Sequence, residues 1–254
     1  MSKSFNLLGP SLKEDLHVHS TFSDGANSME ENIEAALERG LTRICCVDHV
    51  RRDTPWVPDF VAKVRELQKR YAGHITINCG VEAKFLDARG TLDLPQNIDG
   101  VDYIFAADHQ VPLAGGILHP RDVTAGLQSG LLTPEQIIRD LTSATLGAMF
   151  HSHPVVIAHL FSILPKIGLS ERAVPVWALH VLAAAATRSG SIIEISERWT
   201  CPGPAAIWIL AQFGVELRCS TDAHSAEAIG RYDWVADQLD RTDVADSIPG
   251  ALAV

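Results

Sequence analysis

Long apolar runs are missing from this sequence. No stretch of about 18 apolar residues occurs, the length a membrane-crossing helix requires. The opening MSKSFNLLGPSLKEDLH also lacks the extended apolar segment of a secretory leader. Positive charge is scarce: 21 Lys and Arg stand against 31 Asp and Glu, a net charge of −10 with histidines neutral. That balance argues against duplex nucleic acid or an anionic membrane as partner, since both call for a basic surface. A small anionic substrate held by a few cations in a cleft is still allowed. Cysteine is sparse, with an odd count of five and no paired zinc-ribbon spacing. Cys45, Cys46, Cys79 and Cys219 lie in apolar runs and read as small buried hydrophobes of a reduced, cytoplasmic protein. No nucleophile elbow, phosphate-binding Gly-rich loop or dinucleotide fingerprint is present, which removes the commonest serine-hydrolase and nucleotide-binding readings.

What the chain does have is alternation. Seven short apolar runs read as strands: Leu16–Val18, Arg43–Val47, Ile75–Cys79, Tyr103–Ala106, Val155–Ala158, Ser191–Ile195 and Val215–Cys219. Helical patterns lie between them over residues 28–40, 57–73, 133–147, 174–190 and 202–214. The first opens on Ser28 with Glu31 three residues later, a capping box, and stops at Gly40. Continuous apolar strands separated by helices predict parallel βα units with both sheet faces covered. At 254 residues without a linker or composition shift, the expected fold is α/β, a TIM-barrel-like (β/α)7 barrel forming a single domain over 1–254. Residues 110–150 are the least regular part and read as an excursion over one face of the barrel.

Histidine is plentiful, at 11 residues, and its placement is patterned. The first strand carries His17 and His19; the others end at or near His49, Glu82, His109, His159, Glu194 and the pair Asp222 and His224. In a parallel barrel all strands point one way, so these ends gather at one mouth, where such folds place their chemistry. Alternation along a strand sends His17 and His19 to the same side, a two-pronged grip on a metal ion. Asp24 then follows through the turn at SDG. Imidazole and carboxylate donors together suit zinc, manganese or iron. Burying so many ionisable groups without a counter-charge is costly, and cations supply it. Glu194 reads as a group that orients the ligands. His74 and His180 read as structural, His119 as undecided, and His151 and His153 as lying before the fifth strand, away from the mouth.

The set DLHVHSTFSDG, CCVDHV, GVEAKF, YIFAADHQ, VVIAHL, EISER and CSTDAHS, in order across residues 15–225, resembles the PHP (polymerase and histidinol phosphatase) family. The resemblance implies a distorted (β/α)7 barrel with two to three divalent metal ions (Zn, Mn or Fe) at the strand ends. His17, His19, Glu82 and Asp222 would hold one. Glu82 would bridge to a second, shared with His109 and His159, and Asp24, His49 and His224 would hold a third. It also implies a metal-dependent phosphoesterase acting on a small phosphorylated substrate, in the manner of a histidinol phosphatase. A metal-bridging hydroxide is then the expected nucleophile, with Glu82 and Asp222 as catalytic carboxylates. Arg198, after the sixth strand, is the first candidate for binding the phosphate, followed by Arg121 and Arg51. Hydrolysis of another ester or a lactone, a nuclease, and a non-catalytic metal-binding module remain as alternatives.

Overall fold

The structure, a computed structural model, describes residues 10–246. The elements, in chain order, are β1 (Glu14–Val18), α1 (Met29–Glu38), β2 (Arg43–His49), α2 (Val57–Arg70), β3 (Thr76–Lys84), β4 (Tyr103–Ala107), β5 (Val111–Leu113), β6 (Gly116–Leu118), α3 (Pro120–Ser129), α4 (Pro134–Met149), β7 (Val155–Ile157), α5 (Val176–Ser189), β8 (Ile192–Ser196), α6 (Pro204–Gln212), β9 (Leu217–Ser220) and α7 (Trp234–Asp246). Seven parallel strands run in the order β1-β2-β3-β4-β7-β8-β9. The first and last edges meet where Val18 pairs with Ala223: His19 N–H donates to Ala223 O at 2.8 Å and Ala223 N–H to His17 O at 3.2 Å. The result is a nearly closed barrel with its helices outside, as the alternation of elements predicts.

Its interior is layered. At the bottom, the buried Glu14 carboxylate meets Arg218 Nη1 at 2.8 Å and Arg43 Nε at 3.8 Å. Above it lies an inner apolar cluster of Leu16, Cys45, Val47, Phe105, Ala107, Val156, Ala158 and Ile192, none of them from a helix. A larger cluster joins the outer strand faces to the helices. Gly80 leaves room for this filling, because a Cβ there would stand 2.7 Å from the Phe105 ring. The ionisable side chains form the top layer.

Several boundaries differ from the sequence expectation for identifiable reasons. β3 runs on to Lys84, so Glu82 sits inside the strand, opposite His49 and beside Phe105. β1 is irregular: its register against β2 shifts between Asp15 and Val18, the mark of a bulge. The irregular stretch after β4 resolves into the antiparallel β5–β6 hairpin and helices α3 and α4, of which only α4 is periodic enough to be anticipated. His119, left undecided by the sequence, is the N-cap of α3; its Nδ1 accepts from Arg121 N–H at 3.2 Å. His151 and His153 precede β7 at the far end of the barrel, and His153 Nε2 lies 3.0 Å from Val101 O.

The excursion is anchored where α4 presses on the turn at Arg89–Gly90. A Cβ on Gly147 would overlap the Arg89 carbonyl oxygen. Gly147→Ala should therefore destabilise the protein by roughly 1–3 kcal/mol, the usual cost of forcing atoms into a filled space. Gly115→Ala, with nothing within 4 Å, should stay within about 0.5 kcal/mol of the parent. Urea midpoints at unchanged m-value check the pair, and equal midpoints for the two variants would contradict the packing described.

Candidate metal centre

The eight side chains at or near strand ends and Asp24 from the turn after β1 converge. The β1 bulge brings His17 against Phe105 of the inner cluster, with ring centroids 4.8 Å apart, although Leu16 points into the same interior. His17 Nε2 and His19 Nε2 stand 3.0 Å apart. Glu82 Oε2 lies 3.5 Å from the first and 3.6 Å from the second; Asp222 Oδ1 lies 3.9 and 3.1 Å from them. Ligand atoms on a tetrahedral ion with bonds of about 2.0–2.1 Å are roughly 3.3–3.4 Å apart; His17, His19 and Glu82 close into one group of that scale, and Asp222 approaches it from the histidine side. The other oxygen of Glu82, Oε1, is 3.0 Å from both His109 Nε2 and His159 Nε2. A third group gathers at Asp24, whose oxygens lie 3.7 Å from His19 Nδ1, 3.5 Å from His49 Nε2 and 3.4 Å from His224 Nε2.

The donor chemistry fits bound cations. Glu82 Oε2 is buried and receives no well-directed hydrogen bond, although His49 Nδ1 lies 2.7 Å away; His19 Nδ1 is likewise buried and unbonded. Two imidazole nitrogens 3.0 Å apart accommodate at most one proton between them. The electrostatics show what is wanted. Burial alone would raise the Glu82 pKa, yet the His109 and His17 imidazoles hold it well below the usual carboxylate range. Burial opposes charge on His17, yet Glu194, Glu82 and Asp222 outweigh it and push its pKa well above the usual value. His159 rises to about 10 against the same penalty, through Asp108 and Glu82. His19 falls to about 4, chiefly by burial. The pocket thus collects positive charge around fixed carboxylates, and a cation displacing imidazole protons would serve it equally.

A set of carboxylates behind the donors fixes their aim. Glu194 Oε1 is 2.9 Å from His17 Nδ1 and also accepts from Ser220 Oγ; its Oε2 accepts His159 N–H at 2.5 Å. Asp108 Oδ1 is 3.2 Å from His159 Nδ1 and accepts from Ser162 Oγ at 2.6 Å. Asp48 gathers Ser20 Oγ at 2.6 Å, Ser23 Oγ at 2.5 Å and both backbone N–H groups at 3.1 Å, shaping the loop that presents Asp24. Gly25 is required in that loop, because a Cβ would lie 2.6 Å from the His19 carbonyl. Asp15 accepts Thr221 N–H and Oγ1 at 2.9 and 2.5 Å and Gly230 N–H at 2.9 Å across the barrel seam. Burial raises both Asp15 and Asp48 to about 6 despite these bonds. His159 and Asp222 have φ of 30° and 48°, a left-handed backbone that costs a non-glycine residue roughly 1–3 kcal/mol and persists only where the surroundings enforce it.

Sequence reading anticipated Glu194 but passed over Asp15, Asp48, Asp108 and Trp199. The available signal was the DH pair itself: Asp48–His49 and Asp108–His109 each place a bracing acid beside a donor. Trp199 Nε1–H donates to Asp222 Oδ2 at 2.6 Å, leaving Oδ1 for the histidines. Arg198 does reach the mouth. Its Nη1 is 3.2 Å from Asp222 O and 2.7 Å from His224 Nδ1, in a cavity of about 520 Å³ that Arg231 also lines. A second cavity of about 400 Å³ opens on the opposite flank, lined by Asp24, His49, Arg51, Glu82, Lys84 and His109 among others. Arg121 stands apart on α3, exposed and paired with Asp122. His74 and His180 are outside the centre, His74 beside Ala72 O and His180 beside Phe213.

The chain has relatives among known proteins. The chain is 26% identical over 236 residues to a probable histidinol-phosphatase of Deinococcus radiodurans, covering 85% of this chain and 88% of that one. It is 23% identical over 243 residues to a probable phosphatase of Vibrio campbellii, covering 93% and 87%. In fold it is similar to the crystal structure of histidinol phosphate phosphatase from Lactococcus lactis, complexed with zinc, L-histidinol and phosphate. There the TM-score is 0.64 and the identity 20%, over 92% of this chain and 93% of that one. The PHP domain model matches residues 15–196, which takes in the donors from His17 through His159 and the bracing Glu194. The chain belongs to the PHP domain family.

Proposed function

We propose that this chain is a metal-dependent phosphomonoesterase that releases inorganic phosphate from a small substrate, by chemistry like that of the histidinol phosphatases among its relatives. The observation that carries the reading is Glu82: one carboxylate, buried in the mouth, offers Oε2 to the His17–His19 pair and Oε1 to the His109–His159 pair. In this reading His17, His19, Glu82 and Asp222 hold one divalent ion, Glu82, His109 and His159 a second, and Asp24, His49 and His224 a third. Bound divalent ions acidify water and neutralise phosphoryl oxygens, the two requirements of this hydrolysis. Glu82 fixes the spacing between the first two donor sets. Asp222 presents Oδ1 because Trp199 occupies Oδ2, and Arg198, alongside it, offers a guanidinium to the phosphate. Zinc is the ion named with the Lactococcus structure; manganese and iron suit the same donors. No helix among the described residues is long and apolar enough to cross a membrane, and all five cysteines are buried and free, which supports residence in a reducing cytoplasm.

Phosphate release from a panel of phosphomonoesters, with zinc, manganese or iron supplied, tests the activity. His17→Ala and Glu82→Ala should each bring turnover to background while the circular dichroism stays native; wild-type turnover in either would remove the site. Dialysis against a chelator should abolish release, and divalent ions should restore it.

Trp199→Phe keeps the ring and deletes the donor. Metal affinity, read by competition with a chromophoric chelator, should fall roughly 10- to 100-fold, the usual effect of losing a group that orients a ligand. Unchanged affinity would show that Asp222 needs no such support.

A further inference from the structure

The cavity beside His49, Glu82 and His109 has a one-sided composition. Its two acids are committed: Asp24 faces His19, His49 and His224, and Glu82 faces the histidines on either side of it. Arg51, Lys84 and Gln110 line the same cavity. The Arg51 guanidinium has no ion pair among the described residues. The Lys84 ammonium is 3.3 Å from Gln110 Oε1 and only loosely associated with Asp93, at 3.9 Å. Two under-paired cations and an amide therefore rim a space of about 400 Å³ that opens directly onto the donor cluster. No uncommitted carboxylate lines that space to receive an amine.

We infer that the substrate is a phosphomonoester whose alcohol carries a second anionic group, such as a carboxylate, and that Arg51 and Lys84 bind this group. The inference rests on the phosphomonoesterase reading and narrows its substrate class. Hydrolysis itself is unchanged: the ester P–O bond breaks, a water oxygen bonds to phosphorus, and the alcohol leaves with a proton, its anionic tail still held in the cavity. A guanidinium with an ammonium beside it prefers an anionic tail to a neutral one, because charge-assisted hydrogen bonds are about twice as strong as neutral ones. A cationic tail meets like charge there, and like-charge juxtaposition is how binding sites reject wrong partners.

The test compares kcat/KM of the metal-loaded enzyme for phosphoglycerate, glycerol phosphate, phosphoethanolamine and histidinol phosphate. Phosphoglycerate should exceed glycerol phosphate by roughly tenfold or more, the factor that a single charge-assisted contact supplies, and the two amines should fall below both. Arg51→Gln and Lys84→Gln should each collapse the ratio of phosphoglycerate to glycerol phosphate towards unity. Faster turnover of either amine by the parent enzyme would overturn the inference. An equal loss for all esters in the variants would also overturn it, by placing these cations on the scissile phosphate. If no ester releases phosphate, the phosphatase reading fails separately. Calorimetric binding of phosphoglycerate and glycerol phosphate then decides the cavity: tighter binding of the acid, lost in Arg51→Gln, keeps the assignment, and equal binding ends it.

Discussion

Everything at the mouth of this barrel is arranged around the sharing of one buried carboxylate. Glu82 has an oxygen toward each of two imidazole groups, and its site inside β3, level with His49 on β2, makes that sharing possible. A buried anion needs compensation of several kcal/mol. Here imidazoles drawn from strands on both sides provide it, so the sheet order and the electrostatics impose the same requirement. Were Glu82 one residue earlier or later, strand alternation would turn it outward.

The donors are held by a ring of acids that do not themselves face the mouth. Glu194 and Asp108 each approach the Nδ1 of a histidine whose Nε2 points at Glu82 or its partners. That arrangement sets the ring orientation and makes the far nitrogen a better donor. Asp48 does the same work at one remove, by shaping the Ser20–Asp24 loop. The left-handed backbone at His159 and Asp222 belongs to this scheme. Both residues are held by side-chain bonds strong enough to sustain a conformation they would not adopt alone.

The parallel barrel and the donors were legible because each strand is a short apolar run that closes on an ionisable residue, and parallel strands carry such ends to one place. Periodicity could not supply the β1 bulge, since a single extra residue leaves no trace in an alternation only five residues long. The β5–β6 hairpin has three-residue strands, below the length at which a pattern forms. Trp199 and Lys84 were invisible for another reason: a tryptophan after a strand and a lysine two beyond a glutamate become meaningful only when the folded chain places them beside Asp222 and His109. The bracing aspartates were half visible, written next to the histidines as DH but not distinguishable from chance.

The seam between β1 and the chain after β9 carries a further consequence. It is joined by two backbone bonds at His17, His19 and Ala223, with the Asp15 carboxylate standing in for a ladder partner to Thr221. The first and last strands of the sheet thus meet at residues of the candidate metal centre. The bonds that close the sheet and the approach of His19 to Asp222 therefore occur at the same place. A change that opened this join would part the imidazoles of the first strand from the acid that follows the last, so the circumference and the centre stand together.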